Sequence, residues 1–292
     1  MATDSSLKKS FLNYSHTVGL CVMQDRGFMY PVDTLLSRDG RMHTVSRAYL
    51  AARDQLRVTV YNSESEYFGV YGGFGDGTGQ FQWPSCIAQD SQENIYISDE
   101  QLNRINVFSN DGTPLKHWGE TGSDQGSLDG PSGIALDDDD NLYIADHRNH
   151  RVQKFTKDGV FISCFGDSRS SDPLNMPWGL TVSPNGDVYV ADWGNERLQI
   201  FSEDGSFVSN LRGEATISVW GQEYLDGNYE EAEPRSRSNL EPELEIFGGD
   251  PHEESAHTEK FFWAPTSVKV DDIGRIYVTE SNRHRVQIYE RA

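Results

Sequence analysis

An all-β fold, a β-propeller of four-stranded blades, is predicted by three features of the sequence. One phrase of four short apolar runs recurs at a period of 46 or 47 residues. Asp-Gly and Asn-Gly pairs that suit tight hairpins separate the runs. The chain also starts in the fourth-strand slot of one repeat and ends after the third strand of another.

The phrase is clearest in PSGIALDDDDNLYIADHRNHRVQKFTKDGVFISCFG, residues 131–166. Its runs are Gly133–Leu136, Leu142–Ala145, Val152–Phe155 and Phe161–Phe165. Pro84, Pro131, Pro177 and Pro265 each stand 15 residues before an acid (Asp99, Asp146, Asp192, Glu280) and 20 before an arginine (Arg104, Arg151, Arg197, Arg285). A looser copy starts at Pro31 and reaches Arg57 and Tyr61 six residues late. Residues 15–19 stand before Pro31 as a fourth strand stands before the next blade, while the copy at Pro265 stops after RVQIY. The ring is therefore expected to close by pairing this N-terminal strand with the C-terminal blade, which removes exposed sheet edges.

Pro177 to Pro265 spans 88 residues, room for one more blade, with LEIFGG (244–249) as its last strand. Yet 213–264 lacks the repeated phrases, and Ile217, Trp220 and Tyr224 fall at helical spacing. Six blade positions, the fifth divergent, are expected; five blades with a helical insertion are the alternative. Residues 1–14 read as a loose tail and 15–292 as a single propeller domain.

The phrases P-x-G-[IL]-x-[LV], [IL]-Y-[IV]-[AS]-D and N-x-R-[VL]-Q resemble the NHL repeat family. Residues 84–119, 131–166, 177–212 and 265–290 with 15–19 match well, and 31–72 more loosely. The resemblance implies a propeller, commonly six-bladed. Some relatives are copper- or zinc-dependent lyases of amidated-peptide precursors, and some bind RNA. No catalytic residue of such relatives maps onto this chain, because the match is confined to scaffold motifs.

A formal charge of −21 over 292 residues opposes nucleic-acid binding, whose phosphates need a concentrated basic face. No apolar run approaches the roughly 20 residues that span a bilayer, and no apolar stretch follows Lys8 and Lys9 to make a signal peptide. Cys21, Cys86 and Cys164 are odd in number and unrelated in spacing, which suits reduced thiols in a cytosolic setting. A cytoplasmic monomer is expected.

Chain direction places the loops between strands two and three, and the connections from strand four to the next blade, on one face. Long loops on a rigid scaffold carry binding residues. The repeated acid and arginine read as structural, because a site needs different residues from different blades. His147, Arg148, His150, Arg283 and His284, with Trp178 and Trp193, are the candidate ligand- or partner-binding residues. They suit a protein or a small anionic ligand. The expected function is a non-catalytic binding scaffold. The competing reading is a metal-assisted lyase or hydrolase at the channel mouth on the same face. No metal site is assigned, and zinc, copper or calcium is the minority possibility; Asp137–Asp140 read as a solvated turn.

Overall fold

The computed structural model describes residues 17–18, 27–242 and 249–290. Within them the chain forms five antiparallel sheets, each in simple sequence order. The first is β1 (Pro31–Leu36), β2 (Met42–Ser46), β3 (Arg57–Tyr61) and β4 (Tyr67–Tyr71). The second is β5 (Pro84–Gln89), β6 (Ile95–Asp99), β7 (Arg104–Phe108) and β8 (Pro114–Trp118). The third is β9 (Pro131–Leu136), β10 (Leu142–Asp146), β11 (Arg151–Phe155) and β12 (Phe161–Phe165). The fourth is β13 (Pro177–Val182), β14 (Val188–Asp192), β15 (Arg197–Phe201) and β16 (Phe207–Leu211). The fifth is β17 (Pro265–Val270), β18 (Ile276–Glu280) and β19 (Arg285–Tyr289). All five first strands line one central channel of about 100 Å³, through Asp33, Cys86, Ser132, Trp178 and Lys269 among others.

The ring therefore has five blades, which corrects the expectation of six. Between Gly213 and Ala264 the described residues hold no strand, but α1 (Val219–Gly227), α2 (Tyr229–Arg237) and α3 (Pro251–His257). Doubling of the repeat length in this interval was a coincidence of length. The segment lacks the alternating apolar pattern that would bury a blade between neighbours, and its apolar residues follow the helical period instead. The expected strand in 244–249 falls outside the described residues apart from Gly249, which lies in a turn. The closing strand expected at 15–19 also falls outside them, apart from Thr17 and Val18. The six extra residues of the first copy form a 3-10 turn, Leu50–Gln55.

Blades pack through apolar layers. Tyr96, Ile105 and Val107 of the second blade meet Ile134, Leu142 and Ile144 of the third. Tyr189 and Leu198 of the fourth meet Val268, Ile276 and Val278 of the fifth around Phe262. The glycine of the repeated phrase has a physical cause: a Cβ on Gly133 would lie 2.6 Å from the Trp178 carbonyl oxygen, and one on Gly179 2.6 Å from that of Thr266. At these two positions the first strands approach too closely for a side chain, whereas Asp33, Cys86 and Ser267 hold the same place in the other blades.

The repeated acid and arginine knit each blade. Asp99, Asp146, Asp192 and Glu280 each accept from the amide two residues before the blade's proline, those of Gln82, Asp129, Asn175 and Trp263. Arg151 donates to Asp146 at 2.8 Å and to the carbonyls of Ser123, Asp124 and Ser127 in the incoming connection. Arg104 gathers the carbonyls of Asp76, Gly77 and Gln80 in the same way.

Candidate functional site

Because every blade repeats one backbone, a site at the channel mouth comes from positions where the copies differ. Two such positions face the mouth on the side of the strand 2–3 loops. One follows the first-strand proline and carries Val32, Ser85, Ser132, Trp178 and Thr266. The other follows the second strand and carries Arg47, Glu100, His147, Trp193 and Ser281.

His147 and Arg47 use the same bond. His147 Nδ1 lies 3.2 Å from the carbonyl oxygen of Pro177, and Arg47 Nε donates at 2.7 Å to that of Pro84. Each reaches the first strand of the next blade. A carbonyl only accepts, so the His147 proton sits on Nδ1. Burial holds the imidazole pKa below its ordinary value, against the pull of the Pro177 carbonyl and the nearby Glu100 carboxylate. The ring is thus neutral near pH 7, and Nε2 has no hydrogen-bond partner among the described residues. Trp178 stands edge-on at 5.0 Å between centroids, and Trp193 is tilted at 6.4 Å.

Across the mouth, Arg47 donates to Glu100 at 2.6 Å and to Ser85 Oγ at 2.8 Å, with its guanidinium 4.8 Å from the Trp83 ring centre. Ser85 also donates to Glu100. Arg47, Ser85 and Glu100 are not among the candidates expected from the sequence. Aligning the copies at the residue after each second strand would have found the position, since charge and size change there from blade to blade.

The other expected residues are placed apart from this mouth. Arg148 is exposed and pairs with Asp129 at 3.2 Å. His150 occupies the left-handed position before the repeated arginine, φ 55°, shared by Asn103, Glu196 and His284. From there His150 Nδ1 accepts from the Met176 amide, as Asn103 accepts from Gly130 and Glu196 from Ala264. Each donor precedes the proline of the next blade, so this position straps neighbouring blades together. Arg283 donates to the carbonyls of Ser255, Ala256 and Thr258 at the end of α3, and lies over Trp263. His284 is exposed in the fifth blade, two blades from His147. The expected cationic cluster thus divides: His147, Trp178 and Trp193 converge, while Arg148, His150, Arg283 and His284 lie elsewhere.

A second polar cluster joins α3 to the ring. Buried Glu196 accepts from His252 Nδ1 at 2.5 Å, and Trp263 Nε1 donates to His252 Nε2 at 3.4 Å. An indole N–H only donates, so the His252 proton points at Glu196.

No group of three or more His, Cys, Asp or Glu side chains is placed to hold a metal among the described residues. The acidic turn is already engaged: Asp137 takes Lys154 and Asn141, and Asp140 takes Ser91. Burial pushes the thiol of Cys164 up to about 11 and raises that of Cys86, so neither is a ready nucleophile. No helix among the described residues is long and apolar enough to cross a membrane.

The NHL repeat family model matches residues 128–155, 174–201 and 262–289, the first three strands of the third, fourth and fifth blades. The chain is an NHL-repeat β-propeller. No curated protein matches the sequence of this NHL propeller. Among solved structures it is similar to a streptogramin B lyase, with TM-score 0.56 and 13% identity, over 93% of this chain and 71% of that one. It is similar to a catalytically inactive virginiamycin B lyase from Staphylococcus aureus with quinupristin, TM-score 0.54 and 12% identity, over 89% and 69%. A chain of a nidogen/laminin complex matches at TM-score 0.51 and 15% identity, over 88% and 74%. At these identities the likeness is one of fold.

Proposed function

We propose that this NHL propeller is a non-catalytic binding scaffold, with its ligand or protein partner seated over the channel mouth on the strand 2–3 loop face. The observation that carries this reading is His147 beside Trp178 and Trp193, with Nε2 unengaged among the described residues. Indole rings supply flat apolar area that loses little conformational freedom on binding. A neutral Nε2 accepts one hydrogen bond. The combination suits a flat ring bearing an N–H or O–H donor, carried by a small molecule or by a partner's side chain. An anion is less well served, because Arg148 is engaged with Asp129, Arg283 with carbonyls of α3, and Arg47 with Glu100.

The similar structures include lyases and a chain of a protein complex, so the fold itself serves both uses. Binding is favoured here because, among the described residues, no hydroxyl or thiol lies within hydrogen-bond reach of His147 Nε2, so the imidazole has no nucleophile of these residues to activate. Ligand-observed NMR with two fragment sets, phenols and anilines against aryl carboxylates, tests the reading. Donor fragments are expected to bind, and to weaken about tenfold in His147→Ala and Trp193→Ala, as for one lost hydrogen bond or ring contact. Carboxylate preference, or equal binding by the variants, would overturn it.

A further inference from the structure

The α1–α2 hairpin buries none of its residues. Clefts of about 570 and 670 Å³ separate it from the propeller, the second bordered by β19. Its large side chains point to solvent: Trp220 is 85% exposed, Tyr229 75% and Tyr224 57%. Trp220 and Tyr224, four residues apart, share one helix face. On the same helix Glu223, and on α2 Glu230 and Glu231, which follow Tyr229 in the chain, have no basic partner among the described residues, whereas Arg235 and Arg237 pair with Glu259 and Glu233. Helices of nine residues are marginal in water without packing. Aromatic rings exposed on such helices mark a surface that something else covers.

We propose that this face docks an arginine-rich segment of a partner protein. The chemistry favours guanidinium over ammonium. Its planar cation stacks on aromatic faces while its N–H groups bond carboxylates. The same molecule shows the arrangement internally, where Arg47 lies over Trp83 and donates to Glu100. Phosphate surfaces are excluded by the acid around the rings, so neither nucleic acid nor an anionic bilayer fits. This surface is separate from the channel mouth, and the proposal stands or falls apart from the reading of that mouth.

The test titrates a short synthetic peptide of alternating Arg and Gly, and its Lys counterpart, into the full chain at physiological ionic strength. Tryptophan emission and amide exchange are the readouts. The Arg peptide is expected to bind more tightly than the Lys peptide and to protect residues 219–237. Affinity should fall about tenfold in Trp220→Ala/Tyr229→Ala, two exposed cation–π contacts. Both side chains are exposed, and an unchanged melting temperature confirms that the variant folds. Asp138→Asn/Asp139→Asn removes two charges from an exposed turn elsewhere and should leave binding unchanged. Equal loss in that control would mean unspecific charge attraction and overturn the proposal. So would undiminished binding by the Trp220/Tyr229 variant. Protection of 219–237 in the free chain that vanishes when residues 1–16 are removed would assign the face to the chain's own Lys8–Lys9 segment, and overturn it too.

Discussion

Two histidines show how burial and partners, rather than residue type, decide chemistry in this protein. His147 keeps one nitrogen on a carbonyl and the other open at the mouth. His43 is fully buried on β2, with Nδ1 3.3 Å from the Tyr71 hydroxyl and Nε2 without a partner among the described residues. Burial lowers its pKa from 6.5 to about 4. The folded chain therefore resists a proton that the unfolded chain accepts. The resulting stability is complete above pH 6.5 and is lost as pH falls towards about 4. Urea unfolding at pH 7 and pH 4.5 should show wild type losing up to about 3 kcal/mol more than His43→Phe, which has nothing to protonate. Equal losses would show that the carboxylates alone govern acid sensitivity.

At the scale of elements, the left-handed position before the repeated arginine joins one blade to the next. The fourth blade places Glu196 there, and the carboxylate that straps Ala264 also holds His252 of α3. Arg283 and Arg212 hold the same helix through Ser255. Glu196→Ala leaves a buried amide unsatisfied and releases His252, so it should cost about 1–3 kcal/mol. Amide exchange in 251–257 should rise while the second and third blades keep their protection. A uniform rise would mean that Glu196 supports the whole ring rather than this strap. The sequence reading placed the repeated acids and arginines in a structural role, and their bonds to amides and carbonyls give them one. His150, expected at the site, straps the next blade through the Met176 amide rather than facing the mouth; a strap and a ligand-binding histidine look alike in sequence until the neighbouring blade is in view.

For the whole molecule, five blades around a narrow channel rest on apolar layers between sheets, and α1 and α2 contribute nothing to those layers. Replacing residues 218–238 with a short Gly-Ser linker should leave a cooperative unfolding transition, with a melting temperature changed by only a few degrees. Loss of cooperative unfolding would mean that this segment is part of the ring. The deletion also removes the proposed arginine-binding surface while sparing the channel mouth, so it separates the two activities.

The sequence alone determined the blades, because a repeat writes the same local demands several times. Alternating apolar runs, turn glycines and a Pro-x-Gly approach are each dictated within one blade and its neighbour. What the 213–264 segment does depended on whether it had a face to bury, and only the packed ring decided that. The mouth was half legible: His147, Trp178 and Trp193 were read from their loops. Arg47 of the first blade stands 38 and 53 residues from Ser85 and Glu100 of the second, and only ring geometry brings them to one rim. Tertiary structure likewise parted Arg283 and His284 from His147, since similar loops of different blades stand apart around the ring.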